Sequence, residues 1–254
     1  MSERQAVIRT EKLYKSFLSG GVRHTIIDAL DLEIYQKDFT VIMGASGAGK
    51  STLLYALSGM DKASGGKILF CGRDITRFTS DQLAIFRRRH CGFVFQQIHL
   101  ISSMSIMDNV LCAGMLTGQK RAELVDKAAE MFRMVGIDES LWQKFPNQLS
   151  GGEAQRCGIV RALINTPDVV FADEPTGALN SASSDAVLDV LTEVNRQGQS
   201  IVMVTHDMKS ARRGSRILYL KDGNLIGECQ LGPYEGETSE RTRKLGAFLE
   251  EMGW

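Results

Sequence analysis

Gly44-Ala45-Ser46-Gly47-Ala48-Gly49-Lys50-Ser51 has the pattern G-x-x-x-x-G-K-[ST], which describes a phosphate-cradling loop. The pattern has meaning only between a strand and a helix, and both flanks are of the right kind. Upstream, Phe39-Thr40-Val41-Ile42-Met43 is a short apolar run that reads as a buried strand. Downstream, Thr52-Leu53-Leu54-Tyr55-Ala56-Leu57 reads as the opening turns of a helix. Glycines allow the backbone to curl until its N–H groups, from Gly44 to Thr52, surround phosphate oxygens. The helix N-terminus adds a partial positive charge. Lys50 is placed to reach β- and γ-phosphates, and the Ser51 hydroxyl to bind Mg²⁺.

About 100 residues downstream, Leu149-Ser150-Gly151-Gly152-Glu153-Ala154-Gln155-Arg156 resembles the LSGGQ-type signature of ATP-binding-cassette (ABC) ATPases. It precedes a helical run, Cys157 to Ile164, and then Val169-Val170-Phe171-Ala172-Asp173-Glu174. Four apolar residues ending in two carboxylates have the form of a Walker B strand. Taken alone, Leu-Ser-Gly-Gly also fits a helix N-cap with a glycine turn. Its place after a phosphate loop and before a Walker B strand favours the signature. Ser150 with the Gly151 and Gly152 amides makes a second anion-binding helix terminus. A chain with two such termini and one lysine loop has a use for the second in a nucleotide held by a partner copy.

The resemblance to ABC ATPases extends roughly from Val7 to Gly227. It implies an α/β fold: a P-loop NTPase core of ABC type with an antiparallel β subdomain and a helical signature subdomain. It also implies ATP and Mg²⁺ as cofactors. Asp173 matches the aspartate that holds Mg²⁺, and Glu174 the residue that polarises the attacking water. Pro175-Thr176-Gly177 follows as the family's turn does. His206, in Val202-Met203-Val204-Thr205-His206-Asp207, stands where the family has a switch histidine that contacts the γ-phosphate. Gln96, after Phe93-Val94-Phe95, matches the glutamine that ligates Mg²⁺ and hinges the helical subdomain; Gln97 is the competing register. Phe17, two residues after Lys15, matches the aromatic on which adenine stacks, with Tyr14 as the alternative. Ala178-Leu179-Asn180 resembles the family's Ala-Leu-Asp D-loop but carries an amide in place of the carboxylate.

The chain has 254 residues, 43% hydrophobic and 24% charged, with a formal net charge of zero. That size and balance suit one large domain with a subdomain. Zero net charge offers no broad attraction to nucleic acid, and no nucleic-acid partner is expected. The basic run Arg87-Arg88-Arg89-His90 reads as a solvated helix end. No apolar run approaches the roughly 20 residues that span a bilayer, and Met1 to Gln5 lacks a signal-peptide core. Five scattered cysteines have no metal spacing and read as reduced and mostly buried. We expect an ABC ATPase domain over residues 1–230, with the helical subdomain inserted at about 97–160, and an amphipathic tail over 231–254. The tail's stripe of Leu245, Phe248, Leu249 and Met252 fits packing on its own domain or, less simply, a partner contact.

Gly92 to Gln96, His99-Leu100 and Asp173 to Leu179 look like the subgroup that serves lipoprotein-releasing, macrolide-exporting and bacitracin-resistance transporters. A cell-division ABC ATPase is a relative. The antimicrobial-peptide branch is the first expectation, although no substrate pocket is visible in the sequence. The resemblance implies a homodimer in the ATP-bound state and an integral membrane permease as partner. It places the chain peripherally on the cytoplasmic face of the inner membrane. A regulator of a non-transporting membrane complex is the alternative. A DNA-repair ATPase is disfavoured because no long heptad coiled coil separates the lysine loop from the signature.

Overall fold

β1 (Ala6–Ser19) and β2 (Val22–Tyr35) form an antiparallel hairpin that turns at Gly20-Gly21, in a computed structural model that describes residues 4–254. Residues 1–3, the start of the expected ATPase domain and of the stretch read for a signal peptide, lie outside the described residues. β3 (Phe39–Met43), buried throughout, runs into the phosphate loop and then α1 (Lys50–Leu57). Next come β4 (Gly65–Phe70), β5 (Arg73–Asp74), α2 (Ser80–His90) and β6 (Cys91–Phe95). The helical insert holds α3 (Ile106–Met115), α4 (Arg121–Met134) and two short 3₁₀ turns, and leads into α5 (Gly151–Leu163). The chain closes with β7 (Val169–Asp173), α6 (Ser181–Arg196), β8 (Ser200–Val204), α7 (Met208–Ala211), β9 (Arg216–Lys221), β10 (Asn224–Gln230) and α8 (Ser239–Glu251).

Two sheets organise these elements. An antiparallel sheet has the order β2-β1-β4-β5, and a six-stranded sheet the order β10-β9-β3-β8-β7-β6. In the second, β9, β3, β8, β7 and β6 are parallel, and β10 adds an antiparallel edge. Strands buried on both faces read as continuous apolar runs rather than alternations, which is why β3 and β7 stand out in the sequence. Alternate residues of β3 serve different cores. Ile42 packs with Leu13, Leu54 and Phe70 between the two sheets, whereas Val41 and Met43 pack with Val187, Leu191 and Tyr219 on the opposite face. A third core, including Leu111, Leu124, Phe132 and Trp142, belongs to the helical insert.

α5 begins at Gly151, at the helix terminus read in the signature, and continues into the helical run after it; Ser150 and Glu153 cap each other reciprocally and start it there. α6 was not read from the sequence at all; its serine-rich start conceals the apolar stripe Val187, Leu188, Leu191 and Val194. The run Arg87 to His90 is not a freely solvated end. Arg87 donates to the Gly59 carbonyl at 2.6 Å, and His90 Nδ1 lies 2.7 Å from Asp168.

The tail's apolar stripe packs on its own domain. Leu245 and Leu249 are fully buried against the core that contains Tyr219 and Cys229. Arg241, at the start of α8, is buried and donates to the carbonyls of Arg212, Leu231, Pro233, Gly214 and Gly232. Burial pushes its guanidinium below the usual range. No helix among the described residues is long and apolar enough to cross a membrane. Leu245→Ala should cost about 2–5 kcal/mol of stability in chemical denaturation, as large-to-small core changes do. The exposed neighbour change Lys244→Ala should stay within about 0.5 kcal/mol.

Candidate functional site

The phosphate loop leaves β3 through Gly44, whose backbone adopts φ 152°. A Cβ there would lie 2.1 Å from the Leu220 carbonyl oxygen of β9, so the loop can pass this strand only without a side chain. The loop then curls through Gly47 and Gly49 into α1, whose first intrahelical bond runs from the Leu53 amide to the Gly49 carbonyl. The amides of Lys50, Ser51 and Thr52 therefore have no partner within the helix, which is the condition for an anion site. Lys50 folds back over the loop, donating to the Gly44 and Ala45 carbonyls at 2.8 and 2.9 Å. Burial pushes its ammonium below the usual range, opposed by the nearby Glu174 and Asp173 carboxylates. A cationic group held this way gains from an arriving phosphate.

β7 delivers Asp173 and Glu174 opposite that loop. Asp173 accepts from the Ser51 hydroxyl at 2.9 Å and from the Tyr55 hydroxyl at 2.7 Å, one carboxylate oxygen to each. Tyr55 went unread in the sequence; the signal was its place one helical turn after Ser51, on the same face of α1. Burial, together with the hydrogen bond to Asp173 and its charge, pushes the Tyr55 phenol up to about 12. Glu174 sits in the left-handed region at φ 47°, unusual for a residue with a side chain. Its amide donates to the Val204 carbonyl at 3.0 Å. Its carboxylate accepts from the Thr205 hydroxyl at 3.2 Å and lies 2.7 Å from His206 Nδ1. Strain of this kind persists where the surroundings over-determine a functional geometry.

His206 is exposed at the end of β8, and the segment after it is held by Asp207. Asp207 caps α7 through the Lys209 and Ser210 amides and the Ser210 hydroxyl. Burial alone would raise the Asp207 carboxyl, but those hydrogen bonds outweigh it and hold the group below the usual range.

A cavity of about 380 Å³ is lined by Phe17, Ile26, Ser46, Gly47, Gly49, Lys50, Ser51, Thr52, Glu174 and His206. Expected residues from four segments of the chain thus meet in one place. Phe17 lines the cavity and is 45% exposed, while Tyr14 is engaged elsewhere, with its hydroxyl 2.7 Å from that of Thr25. Gly44, Ala45 and Ala48 shape the loop without lining the cavity, and Asp173 stands behind Ser51.

The remaining candidates lie outside it. Gln96 is exposed after β6 and rests against Gly177, where a Cβ would lie 2.9 Å from its amide nitrogen. Buried Gln155 of α5 staples this region by donating to the Phe95 and Pro175 carbonyls at 3.0 and 2.8 Å. His99 is exposed and packs edge-on against Phe95. Ser150, Gly151 and Gly152 do not line the cavity. Ser150 is occupied as an N-cap, and Glu153 Oε2 accepts from both its amide and its hydroxyl. Gly152 is pressed against α6, where a Cβ would lie 2.9 Å from that of Ser183. Asn180 uses its side-chain oxygen to cap α6, accepting from the Ser183 amide at 2.9 Å. A carboxylate would accept the same bond, so the amide keeps the helix start while removing a charge.

A strand–loop–helix phosphate cradle facing two carboxylates and a hydroxyl defines a P-loop nucleoside triphosphatase site. Residues 27–177 match the ABC transporter family. The macrolide export ATP-binding/permease protein MacB of Pasteurella multocida is 39% identical over 224 residues, covering 88% of this chain and 34% of that protein. MacB of Campylobacter fetus subsp. fetus is 38% identical over 246 residues, covering 97% and 38%. The chain therefore spans little more than a third of the curated relatives it matches. Among solved structures, the dimeric bacterial ABC transporter cassette MJ0796 superposes with TM-score 0.82 at 35% identity, covering 89% of this chain and all of that one. The cassette cbiO1 from Clostridium perfringens superposes with TM-score 0.80 at 25% identity, with 98% of each chain covered. The chain belongs to the ABC transporter family, and its fold is that of an ABC ATPase.

Gly44→Ala should weaken ATP binding at least about tenfold, equivalent to roughly 1.4 kcal/mol, because the loop must move away from Leu220. An unchanged dissociation constant in calorimetry would show that the close approach is dispensable.

Proposed function

We propose that the chain is the ATP-hydrolysing cassette of a transporter, in which two copies close around two Mg·ATP molecules and move an integral membrane permease. The observation that carries this reading is a division of the site. The cavity gathers Phe17, Lys50, Ser51, Glu174 and His206, while the signature terminus at Ser150 to Gly152 stands apart from it. A second copy, turned head to tail, brings its signature to the open side of each nucleotide.

Roles follow from geometry. Phe17 offers an aromatic face to the base. The loop amides and Lys50 hold the phosphates, with Lys50 exchanging its two carbonyl partners for phosphate oxygens. Glu174 orients the attacking water and takes up its proton, and His206 holds the Glu174 carboxylate in place. The donor set suits Mg²⁺, which takes one or two carboxylates and completes its shell with phosphates and water. Ser51 and Asp173 would hold it, joined by Gln96 as the subdomains close. The ion would neutralise charge on the phosphate oxygens. Among the described residues no group of three or more His, Cys, Asp or Glu forms an alternative metal site.

The permease partner and a place on the cytoplasmic face of the membrane belong to the same proposal. For cargo we favour an antimicrobial compound, in keeping with the export function in the relatives' names.

Glu174→Gln keeps the side chain's reach but removes its basicity. ATP binding should persist, turnover should fall at least about a hundredfold, and size-exclusion chromatography with Mg·ATP should show an accumulated dimer. A variant that hydrolyses ATP at the parental rate would place the water elsewhere. Ser150→Arg should prevent ATP-dependent dimerisation while each subunit still binds nucleotide. Mixed with Lys50→Ala subunits it should recover paired association, because a head-to-tail pair keeps one intact composite site; no association in that mixture would count against the closed dimer.

A further inference from the structure

Phe17 is not held by packing alone. The Lys15 ammonium lies over its ring, 4.5 Å from the centroid. Residues two apart on a strand share a face, so β1 directs both side chains to the same side. Phe17 is 45% exposed, whereas Lys15 is only 6% exposed, which is unusual for a lysine and requires partners.

Those partners come from the segment that follows α1, the helix that the phosphate loop opens. Lys15 Nζ donates to the Lys62 carbonyl at 2.8 Å and pairs with the Asp61 carboxylate at 2.5 Å. An ammonium has three N–H donors, and the ring face takes the direction that these two oxygens leave open. Asp61 and Lys62 closely follow α1, and the Asp61 amide itself donates to the Tyr55 carbonyl. Lys15 therefore ties β1 to the segment that follows α1. Two further bonds tie the same segments together: Ser64 N to the Tyr14 carbonyl at 2.8 Å, and Ser16 N to the Ser64 hydroxyl at 3.0 Å.

We propose that Lys15 is a positioning residue that fixes the Phe17 base platform relative to the phosphate loop, by pressing its ammonium on one face of the ring while anchored to Asp61 and Lys62, in the segment that follows α1. A nucleotide spans both parts of the site, base on Phe17 and phosphates on the loop, so its affinity depends on the spacing between them. A ligand consisting of phosphates alone does not feel that spacing. The inference rests on the nucleotide-binding reading given above.

Two ligands separate the possibilities: Mg·ATP, and tripolyphosphate, which lacks a base. Lys15→Met keeps the aliphatic stem and removes the charge. It should weaken ATP binding about fivefold, the scale of one cation–π contact, and leave tripolyphosphate binding unchanged. In turnover KM should rise while kcat stays near parental. In a Phe17→Leu background the same change should have no further effect on ATP affinity, and Lys15→Arg should restore most of the loss. Equal weakening of both ligands, an additive loss in the Phe17→Leu background, or unchanged ATP affinity would each overturn the proposal. Failure of the parental protein to bind ATP would instead overturn the nucleotide reading. Should Lys15→Met not fold, Asp61→Asn removes one anchor at a half-exposed position. It should give a smaller loss, about twofold, again confined to ATP and dependent on Phe17; any other pattern counts against the tether.

Discussion

The site depends on Asp173, whose two carboxylate oxygens are claimed by two hydroxyls of one helix. Ser51 and Tyr55, one turn apart on α1, reach it from the phosphate-loop side, while Asp173 itself ends β7. Helix and strand are thereby joined where the loop's free amides, the lysine and the second carboxylate must converge. The shared sheet already aligns β3 with β7 through β8, and this junction adds a direct side-chain tie between α1 and the end of β7. The close passage of Gly44 beneath Leu220 sets the other side of the loop. Together these constraints leave the cradle little freedom to adjust before a ligand arrives, which is what preorganised recognition of a charged group demands.

The signature lies outside this arrangement, and its serine is engaged locally. Ser150 and Glu153 close a reciprocal cap, and Gly152 is wedged on α6, whose start is capped by Asn180. Signature and D-loop thus share one rigid corner. The loss of charge at Asn180 acts at a helix cap that an amide fills as well as a carboxylate, so its effect is not to be sought in folding.

Much of this was legible in the sequence because the relevant signals are local. β3 and the phosphate loop follow from an apolar run beside spaced glycines, and β7 from an apolar run that ends in two carboxylates. What was missed depends on neighbours distant in the chain. Tyr55 looks like any helix-face tyrosine until β7 places Asp173 beside it. Gln155 looks like an ordinary polar helix residue until its amide is found between the Phe95 and Pro175 carbonyls. α6 escaped because the serines at its start mask the apolar stripe that follows, although tertiary burial of one stripe is enough to fix a helix. Arg87, read as solvated, is drawn down by a carbonyl that only the fold brings near.

The left-handed backbone at Glu174 has a consequence for how this protein would evolve under different pressures. A non-glycine residue there costs about 1–2 kcal/mol, whereas glycine loses only about 0.5–1 kcal/mol of chain entropy on folding. Glycine at this position would therefore relieve the backbone, while removing the carboxylate and its contacts with Thr205 and His206. Backbone strain alone favours that exchange, and on the proposed role of Glu174 selection for turnover opposes it. On that reading, a laboratory screen that scores only soluble, stable protein is blind to the exchange at this position unless activity is measured in the same round.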